Sequence, residues 1–133
     1  MAWLSSKWSN CMNERIKLKQ LNSHITEVDI PLMDVFGDSI TLFIHTDENK
    51  TYTVTDNGYT MWNLSTKGVD LQDSEINKLV SSILKSANVE LTKKNKEIVQ
   101  NGVDLPKMIN NVTQVVIKVS SLVYTTYLKH KEN

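Results

Sequence analysis

Glu48-Asn49-Lys50 is a place where side chains of catalytic type fall at a catalytic spacing. A Glu-x-Lys with a carboxylate upstream, here Asp34, is how restriction-type nucleases hold a divalent ion between two carboxylates and orient water with a lysine. The chemistry on offer is therefore metal-dependent cleavage of nucleic acid. The position argues against it. Asp47-Glu48-Asn49-Lys50 has the composition of a polar turn, whereas such a site needs its Glu and Lys inside a strand. His24, His45 and His130 are scattered without zinc-ligand spacing. No phosphate-binding loop, dinucleotide fingerprint or serine nucleophile elbow occurs. No cofactor is expected, and no residue stands out as catalytic.

Two other groups of side chains have binding rather than catalytic character. Lys93, Lys94 and Lys96 make a basic turn able to touch nucleic-acid phosphates, but no aromatic residues are interleaved with them for base stacking. Asp56-Asn57-Gly58 combines a carboxylate, a residue that favours local turns and a residue that accepts positive φ. Asp56 is placed to accept hydrogen bonds from the next backbone N–H groups, a structural cap, with a ligand or metal role as the alternative.

Charge is balanced overall but uneven along the chain. Fifteen Lys and Arg oppose fifteen Asp and Glu, for a formal net charge of zero. Between His24 and Glu75, ten acids (Glu27, Asp29, Asp34, Asp38, Asp47, Glu48, Asp56, Asp70, Asp73 and Glu75) face only Lys50 and Lys67. Folding either interleaves that segment with the basic ends or leaves an acidic face suited to a basic partner. A wholesale nucleic-acid mimic would carry a large net negative charge, and this chain does not.

The elements that must position these groups follow from periodicity. Trp3, Leu4, Trp8, Met12 and Ile16 recur at helical spacing, predicting a helix over about residues 3–20 with Cys11 beside its apolar side. Ile25–Ile30 alternates as a strand that should end at Pro31. Ser39–His45 is a second strand with Ile40, Leu42 and Ile44 inward. Thr51–Thr55 returns as its antiparallel mate. A short helix should run from Tyr59 to about Thr66, stopped by Gly68. Asp73 or Ser74 can cap a helix to about Ala87. Val89-Leu91 and Ile98-Val99 form a small second hairpin. From Asp104 to Lys129 apolar residues step by one, three or four, predicting one helix of about 25 residues, roughly 37 Å long. Asp104 caps it and Pro106 suits its first turn.

The fold class is thus α+β, in a single domain over residues 1–133. It comprises an antiparallel sheet of about three strands plus a small second hairpin, an N-terminal helix, two middle helices and one long C-terminal helix packed on the sheet. No apolar run approaches a membrane span, and one cysteine fits a reducing cytosol. The long helix could also pair with a copy of itself, so homodimerisation is open.

Three features occur together: Thr26 to Asp34 running through Pro31-Leu32-Met33-Asp34 into Gly37-Asp38-Ser39-Ile40, the stretch Tyr52-Thr53-Val54-Thr55-Asp56-Asn57-Gly58-Tyr59-Thr60-Met61-Trp62-Asn63-Leu64, and Asn88-Val89-Glu90-Leu91 before the final helix. The set resembles the family catalogued as domain of unknown function 1828, over nearly the whole chain. That resemblance implies a bacterial, phage or mobile-element setting and brings no chemistry to transfer. The expectation is a non-enzymatic interaction protein in a bacterial cytoplasm. It would bind a bacterial protein complex, in the sharpest version a nucleic-acid-binding defence effector inhibited in the manner of an anti-CRISPR protein. Asp34, Asp38, Asp47, Glu48 and Asp56 are the expected contacts. The alternatives are the nuclease above and a regulatory nucleic-acid binder using Lys93, Lys94 and Lys96.

Overall fold

The computed structural model describes residues 16–132. Its organising layer is one antiparallel sheet of six strands among the described residues: β1 (Lys17–Gln20), β2 (Ile25–Met33), β3 (Ser39–Thr46), β4 (Tyr52–Thr55), β5 (Glu90–Leu91) and β6 (Ile98–Gly102). Their order across the sheet is β1-β2-β3-β4-β6-β5. Four helices are described: α1 (Tyr59–Thr66), α2 (Ser74–Ser86), α3 (Leu105–Ser120) and α4 (Val123–Glu132).

Alternation sets the faces. Val28 and Ile30 of β2 lie opposite Leu42 and Ile40 of β3, and Ile44 lies opposite Val54 of β4. All six are buried, and α3 adds Met108, Val112, Val115, Val116 and Val119 to the same core. Met61 and Leu64 of α1 and Ile76, Val80 and Leu84 of α2 complete it. Each such aliphatic burial contributes about 1.5–3 kcal/mol before entropy is counted. On the outer face, Thr41, Phe43 and His45 of β3 stand beside Thr53 and Thr55 of β4, by the same period of two.

The caps fall where the sequence places them. The Asp73 carboxylate accepts the Glu75 and Ile76 N–H groups at 2.8 and 3.2 Å. Asp104 accepts from the Lys107 N–H, with Pro106 in the first turn of α3. Gly68 ends α1 with φ +89°. Among the described residues no helix is long and apolar enough to cross a membrane.

Four expectations are corrected. The predicted N-terminal helix does not reach residue 20, because Lys17–Gln20 is strand β1; its residues 3–15, with Trp3, Trp8 and Cys11, lie outside the described residues. The outer edge of β2 supplies N–H and C=O groups for pairing, and Lys17 and Lys19 fall directly opposite Asp29 and Glu27. Cross-strand charge pairs of that kind outweigh a local helical spacing. Second, β2 runs past Pro31 to Met33 through an irregularity between Ile30 and Met33, the sort of bulge where a residue without an N–H is tolerated. Third, the small hairpin is not separate: β6 pairs with β4 from Tyr52 opposite Gly102 to Thr55 opposite Val99, extending one sheet.

Fourth, the long C-terminal helix is two. The Ser120 and Ser121 hydroxyls donate back to the Ile117 and Lys118 carbonyls at 2.9 and 2.5 Å. The Leu122, Tyr124 and Thr125 N–H groups then reach carbonyls only three residues back. Consecutive serines competing for helix carbonyls tighten the chain into a turn between α3 and α4.

Candidate functional site

The site grows from the turn that leaves β4. Asp56 is buried, and its carboxylate is shared by three backbone donors. One oxygen accepts the Gly58 and Ile98 N–H groups, each at 2.9 Å, and the other accepts the Thr60 N–H at 3.1 Å. Its own N–H donates to the Ile98 carbonyl. One side chain thus ties β4 to β6 and to the start of α1. The Thr55 hydroxyl accepts the Asn57 N–H at 2.9 Å and donates to Glu97 at 3.0 Å. Gly58 is required twice over: φ is +83°, and an added Cβ would stand 2.9 Å from the Asn95 carbonyl oxygen.

A second aspartate shapes the opposite wall. The Asp34 carboxylate, buried, accepts the Phe36 N–H at 2.9 Å and the Asp38 N–H at 3.1 Å, closing the loop between β2 and β3. Asp38 remains exposed, and its carboxylate accepts the Tyr59 hydroxyl, clamping that loop to the first residue of α1. Burial raises the Tyr59 phenol well above its ordinary range, and the Asp38 hydrogen bond with the negative charges of Asp38 and Asp34 adds to the effect. The phenol therefore stays a protonated donor to Asp38.

Between these walls lies a groove of about 630 Å³ lined by Ser39, Thr41 and Phe43 of β3, Asp56, Asn57 and Gly58 of the turn, Tyr59 and Trp62 of α1, and Asn95 of the β5–β6 turn. Trp62 is 62% exposed, although α1 buries Met61 and Leu64 on its other side. Among the lining side chains there is no cation. The surface has the composition of a recognition cleft: three aromatic rings with hydrogen-bonding amides and hydroxyls.

The predicted site residues are dispersed. Of the predicted acids only Asp56 lines the groove, and it is buried; Asp34 is buried in the adjoining loop, and Asp38, exposed, reaches the groove through the Tyr59 hydroxyl. Asp47, Glu48 and Lys50 occupy the β3–β4 turn, at the far end of the eight-residue β3. That separates Asp34 from Glu48 and Lys50 by roughly 26 Å, too far to share one metal ion. Among the described residues no group of three or more His, Cys, Asp and Glu is placed to hold a metal. The Asp47 carboxylate accepts the Thr51 hydroxyl, the Thr51 N–H at 3.0 Å and the Asn49 N–H at 2.9 Å, and the Thr51 hydroxyl is the largest cause of its lowered pKa. Lys93, Lys94 and Lys96 are all exposed on the β5–β6 turn that also carries Asn95. His24 is exposed in the β1–β2 turn and His45 is exposed on β3, and the side chain of His130 lies outside the described residues.

Phe43, Thr41, Trp62 and Asn95 were not legible as a site. The available signals were slight: Phe43 alternates outward between Leu42 and Ile44, and Tyr59 and Trp62 are spaced to share one helix face.

The family described as domain of unknown function DUF1828 matches residues 30–119, and the chain belongs to it. Every residue lining the groove falls within that match. No curated protein and no solved structure matches the chain.

Proposed function

We propose that this family member is a non-enzymatic interaction protein of phage or mobile-element origin. It binds a bacterial protein complex, in the sharpest form a nucleic-acid-binding defence effector that it inhibits. The contact is made through the groove between β3 and α1. The observation that carries this reading is Trp62, held 62% exposed beside Tyr59 and Phe43 by a turn that Asp56 fixes rigidly. Tryptophan and tyrosine in preformed clefts are the usual anchors of protein interfaces. Covering the exposed part of a tryptophan is worth roughly 2–4 kcal/mol.

The contact set changes accordingly. Asp34 and Asp56 use their carboxylates on backbone N–H groups, so they build the groove and do not reach a partner. Asp38 supplies the acidic rim. Asp47 and Glu48 lie outside the contact. The test is capture of the effector from host lysate by the tagged chain. Trp62→Ala and Asp38→Lys are expected to weaken capture at least tenfold, and reversal of Asp47 and Glu48 to lysine to leave it unchanged. Loss of the effector with the turn variants alone would overturn the reading.

A further inference from the structure

The sheet register leaves a gap beside the groove. Thr46 donates its N–H to the His24 carbonyl across β2. Backbone groups alternate along a strand, so Ile44, Leu42 and Ile40 also face β2, whereas His45, Phe43, Thr41 and Ser39 face the β4 side. There β4 pairs only with Phe43 to Thr46, because the chain leaves the sheet at Asp56. Ser39 to Leu42 form an edge of about 13 Å without a strand beyond it. The β3–β4 pairing stops at Phe43 opposite Thr55, so among the described residues no paired strand faces the Thr41 N–H and C=O on that side. The missing strand would run along the groove, past Phe43, Tyr59 and Trp62.

Charge selects the occupant. The end near β2 holds the exposed Asp38 carboxylate with Asp34 behind it, and Tyr59 stays protonated under their field. Lys93, Lys94 and Lys96 stand on the turn at the other end. The Lys67 ammonium lies 5.4 Å from the centre of the ring of Phe36, on the loop that carries Asp38, so an ammonium over an aromatic face already occurs beside that acid.

Resting on the interaction-protein reading above, we propose that the groove takes an extended peptide segment of the partner, which adds as a strand to β3 at Thr41 and lays a lysine or arginine side chain over Trp62 toward Asp38. Main-chain pairing then provides the hold, and the aromatic and acidic pockets provide the choice of side chain.

The experiment begins with hydrogen exchange on the free, full chain. The Thr41 amide is expected to exchange at least a hundredfold faster than those of its neighbours Ile40 and Leu42. Equal protection of all three at every protein concentration overturns the free edge. Protection of Thr41 that grows with concentration assigns the edge to a second copy and overturns the peptide occupant. Random octapeptides displayed on phage are then selected against the full chain. Enrichment of peptides with one fixed Lys or Arg among β-branched residues is expected, and the best of them, made synthetically, should slow Thr41 exchange at least tenfold. Enrichment of acidic peptides, no enrichment, or binding that leaves Thr41 exchange unchanged overturns the proposal.

Thr41→Pro removes the N–H that faces the gap, a position where edge strands accept proline, together with the Thr41 hydroxyl that donates to Asp29 at 3.0 Å, so Thr41→Val is the control for the hydroxyl alone. Thr41→Pro should abolish peptide binding while Asp47→Lys leaves it intact. Should Thr41→Pro not fold, Asp38→Asn, expected to weaken the basic peptide at least fivefold, and the wild-type exchange measurement decide the matter. Effector capture that depends on Trp62 but not on Thr41→Pro would remove strand addition and leave the function reading standing. Capture indifferent to Trp62 would remove the function reading itself.

Discussion

Asp56→Ala is the perturbation that most directly tests whether the groove is built by one buried carboxylate. Removing it leaves the Thr60 and Ile98 N–H groups buried without acceptors, and the Gly58 N–H, which water can reach in part, is lost as well. A hydrogen bond to a charged acceptor contributes about 1.5–3 kcal/mol. Two buried ones give about 3–6 kcal/mol, a large share of the 5–15 kcal/mol that holds a domain together. With a urea slope of about 1–3 kcal/mol/M, the midpoint should fall by roughly 2 M. Asp56→Asn separates geometry from charge. It keeps an oxygen for Gly58 and Ile98 but turns an N–H₂ toward the Thr60 N–H, and it should cost less, about 1–3 kcal/mol. Both variants are measured by urea unfolding followed by tryptophan fluorescence and by far-ultraviolet dichroism. A loss below about 0.5 kcal/mol for Asp56→Ala would refute the reasoning.

Four further outcomes are expected. Gly58→Ala should destabilise by about 2–4 kcal/mol, combining the positive-φ penalty with the approach of the new Cβ to the Asn95 carbonyl, and should lower the urea midpoint without changing its slope. Tyr59 should titrate at higher pH than the other tyrosines by ultraviolet difference absorbance. Because its folded pKa lies above the unfolded one, its share of stability is complete below about pH 10 and is lost as pH rises beyond that, an effect that Asp38→Asn should reduce. Thr51→Val removes the hydroxyl that chiefly lowers the Asp47 pKa, so the Asp47 titration by carboxyl NMR should move back up toward 3.8. The Thr113 hydroxyl is buried with no hydrogen-bond partner among the described residues, so Thr113→Val should stabilise by about 1 kcal/mol in thermal and urea melts.

Local chemistry made much of this fold readable in advance. The alternation of Ile40, Leu42 and Ile44, the caps at Asp73 and Asp104, and the stop at Gly68 all act within a few residues of the groups that announce them. Strand β1 was hidden because its pairing is with Asp29 and Glu27, and the helical spacing that ends at Ile16 is a local signal with no knowledge of that edge. The break between α3 and α4 was hidden because apolar spacing continues through Leu122 and Val123 while the two serine hydroxyls divert the backbone. The acidic segment could not be apportioned from composition alone. Ten carboxylates close in sequence are sorted by the fold into buried ties such as Asp34 and Asp56, turn braces such as Asp47, and the exposed Asp38 bonded to Tyr59 beside the groove.

The groove itself has no local signature, because it arises from a mismatch in length. β3 has eight residues and β4 four, so half of β3 outlasts its neighbour on that side. What ends β4 early is Asp56, which turns the chain toward α1 and in the same act gathers the N–H groups of Gly58, Thr60 and Ile98. The residue that stabilises the turn is therefore the residue that opens the edge. Any substitution that let β4 continue past residue 55 would cover Thr41 with the chain's own backbone and carry Tyr59 and Trp62 away from Phe43. If the proposed strand addition holds, structural and recognition demands on the Asp-Asn-Gly-Tyr stretch are one demand, because the capped turn is what leaves the β3 edge without a β4 neighbour.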